Sequence, residues 1–249
     1  MTGAPAIVFD RVGKTYSLAL HRAGGMKSLL LQPRRALAHM RSGRRQVLDD
    51  VSLTVRRGES LGVIGRNGAV KSTLLALIAG VIRPSTGSIA VAGRVSPLLE
   101  LGAGFHPELT GRDNIMLNGV LLGLRRAEVR ERLAQIIDFS ELEESIDEPV
   151  RVYSTGMLAR LGFSVAAHLD PEILLVDETL AVGDAAFQAK CIAKIGEFRA
   201  RGVTTVFVSH DLEQLAELCD RAALLAAHRL AYVGDVAETI ARYREGRTV

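Results

Sequence analysis

The sequence is poor in cysteine, in long apolar runs and, over one stretch, in acid. Only two cysteines occur among 249 residues, Cys191 and Cys219, and they show no metal-ligand spacing. That excludes a disulfide framework or a thiolate metal site and leaves both as reduced, structural thiols in segments that read as helices. Gly, Pro or a charged residue interrupts every apolar run well short of the ~20 residues that cross a bilayer. The first ten residues lack the basic, then apolar, then small-residue succession of a secretory signal, so the chain is expected to stay in the cytoplasm. Between Arg11 and Gln46 there is no Asp or Glu, although the whole chain has a net charge of only +3. Two readings of this one-sided stretch stand: a solvated insertion, or a segment lying against an acidic membrane face or a phosphorylated lipid. Within it Met26, Leu29, Leu30, Leu31, Leu37 and Met40 can line one side of a short helix broken near Pro33, which suits an interfacial position.

What is present from Ser60 onward is a repeated order of strand, loop and helix. Residues 61–64, 173–176 and 203–208 are short Val- and Ile-rich runs bounded by Gly or polar residues, the pattern of parallel strands buried on both faces. They end in Gly65, in Asp177 with Glu178, and in Ser209 with His210. In an open α/β sheet the ligand crevice lies at such carboxyl ends. Residues 125–139 and 157–167 have helical apolar spacing, which predicts a helical insert over about 101–168. Residues 7–9 and 51–55 alternate like half-exposed antiparallel strands, 222–225 with 230–233 read as a late hairpin, and 236–243 as a helix. A length of 249 residues suits one compact unit with an appended subdomain and is too short for two such units plus membrane spans.

Gly65-Arg66-Asn67-Gly68-Ala69-Val70-Lys71-Ser72-Thr73 follows a predicted strand and opens a helical run to Ala79, the context required of a phosphate-binding loop. Backbone amides at the helix start form an anion cradle, Lys71 adds a point charge for the β and γ phosphates, and Ser72 would hold magnesium. The pattern's second glycine is Val70 here. A β-branched side chain pushed into a loop that phosphate must approach closely would cost on the order of a few kcal/mol in binding. An ordinary glycine-containing turn ahead of a helix also fits, and the loop alone leaves both readings open. At the end of 173–176, Asp177 can hold magnesium through its ligand water and Glu178 can act as the general base that orients an attacking water. His210 is placed to donate a hydrogen bond to the γ-phosphate.

Tyr153-Ser154-Thr155-Gly156-Met157 precedes the Asp177 strand at the distance at which ABC ATPases carry their Leu-Ser-Gly-Gly-Gln signature, with Thr155 and Met157 as departures. The chain resembles ABC cassettes over nearly its whole length. The resemblance implies an α/β P-loop NTPase cassette with a mostly parallel core sheet, an antiparallel β subdomain and a helical subdomain, all in one domain over 1–249. It implies ATP and magnesium as cofactors, and two copies sharing each site. Ser154 and Gly156, opening a helix, would bind the γ-phosphate of a nucleotide held by the other copy. Tyr16 looks like the aromatic that stacks on adenine, Asp184 like the residue of the loop that reaches across the dimer, and His210 like the switch histidine. Glu100 stands near the position where such cassettes usually have Gln; it can approach magnesium or a water but cannot donate as an amide does.

Residues 98–112 and 180–187 resemble cassettes that export lipid-linked polysaccharides such as O-antigen, capsule or teichoic acid, as does the basic insertion over 17–46. That likeness implies a homodimer on the cytoplasmic face of the inner membrane, bound to an integral membrane permease dimer. The implied cargo is a glycan linked to undecaprenyl or another polyprenyl pyrophosphate, and no nucleic-acid partner is implied. The carbohydrate-binding domain that some members carry after the cassette is expected to be absent. Rival readings are a cassette weakened by Val70, an ABC ATPase for another substrate, and a soluble ABC ATPase acting on translation or DNA. The last normally joins two cassettes or inserts long coiled coils, and the sequence has neither.

Overall fold

A computed structural model describes residues 4–17, 44–65, 68–98, 104–177 and 183–246. Asn67, Glu100, Glu178 and nearly all of the basic 17–46 insertion lie outside the described residues. The strands are β1 (Pro5–Ser17), β2 (Arg44–Arg56), β3 (Ser60–Gly65), β4 (Thr86–Val91), β5 (Val95–Leu98), β6 (Ile173–Val176), β7 (Thr204–Val208), β8 (Arg221–Ala226) and β9 (Arg229–Asp235). The helices are α1 (Gly68–Ile78), α2 (Gly111–Leu121), α3 (Arg126–Ser140), α4 (Thr155–Ala167), α5 (Ala185–Ala200), α6 (Leu212–Leu218) and α7 (Val236–Arg244), with a 3-10 turn at Val150–Val152.

The described strands form an antiparallel sheet in the order β2-β1-β4 and a six-stranded sheet in the order β5-β6-β7-β3-β8-β9. In the larger sheet only the β8–β9 pairing is antiparallel. Its inner strands β3, β6, β7 and β8 are buried along almost their whole length, and their side chains divide by the two-residue period of a strand. Leu61, Val63, Ile173, Leu175, Val206 and Val208 enter one core, shared with α1, β1 and β2. Ile64, Leu174, Val176 and Phe207 enter the other, shared with α2 through α7. The molecule is therefore three layers deep: the antiparallel sheet with α1, the six-stranded sheet, and the remaining helices. Phe139 of α3, Phe163 of α4 and Phe187 of α5 tie the helical layer together with ring centroids 5.9–6.3 Å apart.

Several elements exceed or escape the sequence expectations. β1 and β2 run far beyond 7–9 and 51–55 because bulges interrupt their alternation; the register shifts between Phe9 and Val12, and Arg11 and Asp50 have positive φ. β5 is an edge strand of the larger sheet, which explains how it accommodates Pro97. α2 and α5 announce themselves by caps rather than periodicity: Thr110 accepts from the Asp113 amide and Asp184 from the Phe187 amide. Cys191 lies within α5, but Cys219 falls just after α6 on extended backbone, a correction to its helical reading.

Candidate functional site

Strands β6, β7 and β3 are neighbours, with Val176 level with Phe207 and Val208 level with Val63. Their carboxyl ends therefore bring the loops bearing Asp177, His210 and Gly65 to one edge of the sheet, about 4.8 Å apart from strand to strand. Gly65 is required by packing: a Cβ there would lie 2.8 Å from the Leu225 carbonyl oxygen of β8. From it the chain turns into α1, whose first turn contains no acidic residue, so nothing in the helix itself offsets the positive end of its dipole. Gly68 and Ala69 open that helix. Lys71 is buried and its Nζ donates to the Gly65 carbonyl at 2.8 Å, which turns the ammonium back toward the end of β3. Ser72 is exposed, and Thr73 is buried with its Oγ1 3.4 Å from the Tyr16 hydroxyl. Tyr16, at the end of β1, also has Lys14 Nζ 5.2 Å from its ring centroid. The Thr73 contact holds the ring beside the second turn of α1, and Lys14 lies over its face.

Val70 behaves otherwise than its sequence position indicates. Its backbone is helical, not the left-handed conformation that demands glycine. Its side chain, 5% exposed, packs into the core with residues of α1 and the inner strands. The side chain thus turns inward instead of into the phosphate loop, because α1 has already begun at Gly68 and its third residue faces the sheet.

Asp177 is half-buried at the end of β6. After β7, Ser209 accepts the Asp211 amide at 2.9 Å and Asp211 caps α6, which holds His210 exposed between them. Ser154 and Gly156 lie in the helical layer. Ser154 is the N-cap of α4, accepting the Met157 amide at 3.2 Å. A Cβ on Gly156 would meet only the Ser154 Oγ, at an ordinary 3.7 Å.

Asp184 caps α5 with one carboxylate oxygen and receives Arg160 Nη2 at 2.6 Å on the other. The Phe187 amide foremost, then Arg160, holds this carboxyl below its usual range. Sequence reasoning missed Arg160, which is 24 residues from Asp184, and missed Lys14 beside Tyr16. No local spacing signals the Arg160 contact, whereas Lys14 and Tyr16 stand two apart on β1, the spacing that puts strand side chains on one face.

Among the described residues, no helix is long and apolar enough to cross a membrane. The ABC transporter family model matches residues 48–181. The chain is 53% identical over 241 residues to the O-antigen export system ATP-binding protein RfbB of Klebsiella pneumoniae, covering 97% of this chain and 98% of the relative. It is 45% identical over 198 residues to the teichoic acids export ATP-binding protein TagH of Lactiplantibacillus plantarum, covering 80% of this chain and 54% of that one. Among solved structures, an ATP-binding subunit of an ABC transporter matches with a TM-score of 0.74 at 22% identity, over 98% of this chain and 94% of the other. A dimeric ATP-binding cassette in a post-hydrolysis state with ADP and Pi matches at 0.72 and 19% identity, over 92% and 98%. The structural likenesses carry the fold, a mostly parallel core sheet flanked by an antiparallel sheet and a helical layer. Identity at that level along almost the whole length of both chains carries more: this chain belongs to the ABC transporter family, as an ATP-binding cassette.

Proposed function

We propose that the chain is the ATP-hydrolysing subunit of an exporter of lipid-linked polysaccharide. Two copies would work on the cytoplasmic face of the inner membrane, bound to an integral membrane permease dimer. The observation that carries the cargo class is the 53% identity, nearly end to end, with an O-antigen export ATP-binding protein. The acid-free basic stretch within 17–46 supports it, since a polyprenyl-pyrophosphate head is an anion that such a segment attracts.

The arrangement of the strand ends supports the following hydrolytic site. The amides at the start of α1 cradle the phosphates, with Gly65, Asn67, Gly68, Ala69 and Val70 forming the loop and Thr73 anchoring Tyr16 toward the base. Lys71 moves its ammonium from the Gly65 carbonyl to the β and γ phosphate oxygens. Ser72 and Asp177 offer a hydroxyl and a carboxylate, hard oxygen donors that fit magnesium, with Glu100 near the ion's water. When bound, magnesium would neutralise charge on the β and γ phosphate oxygens. Glu178 orients the attacking water and takes its proton, and His210 donates to the γ-phosphate. Ser154 and Gly156 of the other copy complete the site through the start of α4, and Asp184 lies on the loop that crosses between copies. Gly156 fits this role because its own chain does not require its small size. The inward turn of Val70 removes the steric reason for reading the cassette as a weakened one.

Glu178→Gln is expected to bind ATP as the parent does while steady-state hydrolysis falls about a hundredfold or more. Equal turnover in the two proteins would defeat the assignment.

A further inference from the structure

Arg160 sits on α4, the helix whose first turn carries Ser154 and Gly156. Its Nη2 donates to Asp184 at 2.6 Å and its Nη1 to Glu141 at 3.0 Å. The guanidinium carbon lies 4.9 Å from the centroid of the Phe187 ring. The planar fork is thus held at two ends and on one face. Its side chain is 18% exposed, against 64% for Asp184 and 49% for Glu141, so the guanidinium is the enclosed member about which the carboxylates gather.

The backbone closes on the same point. Gly183 has a φ of +74°, and a Cβ there would lie 3.1 Å from Arg160 Nε and 3.2 Å from Phe187 Cβ. A Cβ at 183 would press on both the arginine and the phenylalanine, and left-handed backbone favours glycine there in any case. Asp184 divides its oxygens, Oδ1 taking the Phe187 amide at 2.9 Å and Oδ2 taking Arg160. On the far side, Glu141 ends α3 in the left-handed conformation and also receives Lys190 of α5, at 3.2 Å. The end of α3, the body of α4 and the start of α5 are therefore pinned at one guanidinium. Ion pairs whose carboxylates are this exposed add little to stability, so the arrangement's consequence is geometric.

We infer that Arg160 is a positioning residue: it locks the point where the chain enters α5, shortly after Asp177 and Glu178, to the helix that presents Ser154 and Gly156. Asp184, on the loop that crosses between copies, and the residues that reach the nucleotide of the other copy then move as one piece. This inference rests on the hydrolytic reading above.

The test uses the full chain carrying Arg160→Lys, which keeps the charge and loses the two-pronged geometry. With ATP and magnesium, kcat is expected to fall about tenfold or more, because small misplacements of positioned groups are costly. Affinity for a fluorescent ATP analogue should stay within about twofold. Amide exchange, followed by mass spectrometry, should accelerate at 183–187 while β3, β6 and α1 exchange as in the parent. Unchanged kcat and unchanged exchange at 183–187 would overturn the inference, as would acceleration spread evenly over the chain, which marks general loosening. Should the parent itself hydrolyse no ATP, the hydrolytic reading fails; the lock still stands if exchange accelerates at 183–187 alone and falls if it does not.

Discussion

Val70 occupies a position at which the phosphate-loop pattern has glycine, yet its side chain belongs to the core between α1 and the sheet. Replacing it with glycine removes a buried side chain and introduces a poor helix former. Val70→Gly is therefore expected to lower stability by about 2 kcal/mol. Affinity for ATP should change by less than about threefold. Urea unfolding and a nucleotide titration measure the two effects, and a tenfold gain in affinity would mean that the valine presses on the phosphates. The two cysteines make a separate residue-scale prediction. Burial pushes the Cys191 and Cys219 thiols up to about 12, so both remain protonated and unreactive toward thiol reagents in the native state near neutral pH. In the unfolded chain they ionise near 9. Their contribution is therefore complete below pH 9 and is lost as pH rises toward 12, which unfolding midpoints measured over that range should follow.

At the scale of the element, α4 separates stability from function. Ser154 satisfies an amide of the helix's own first turn, whereas Gly156 does nothing for its own chain that alanine cannot do. Gly156→Ala is expected to leave the melting temperature unchanged or raise it slightly, since alanine favours a helix by up to about 1 kcal/mol. ATP turnover should nevertheless fall about tenfold or more, because in the proposed shared site the added methyl would meet the nucleotide held by the other copy. Parallel losses of stability and turnover would show that the glycine serves folding alone. Among the elements themselves, the apolar continuity of residues 61–64 and 173–176 made β3 and β6 legible, since a strand buried on both faces needs no polar alternation. The full extent of β1 and β2 was not legible, because bulges at Arg11 and Asp50 break the period on which such a reading depends.

For the whole molecule, the arrangement of Lys71 on one layer and Ser154 on another leads to an assembly prediction. The Glu178→Gln chain mixed with ATP and magnesium should double its mass by light scattering and return to monomer when ATP is replaced by ADP; a mass independent of nucleotide would count against shared sites. By itself the sequence determined the lysine-bearing loop, the acid pair ending residues 173–176 and the signature-like helix start. These depend on residue types at short spacing, which the chain carries whatever its neighbours do. Only the tertiary structure decided that β6, β7 and β3 lie side by side, that Val70 faces inward, and that Arg160 meets Asp184 across 24 residues. Those outcomes depend on strand order, on the rotation at which α1 begins and on packing between helices, and all three arise from contacts between segments distant in the chain.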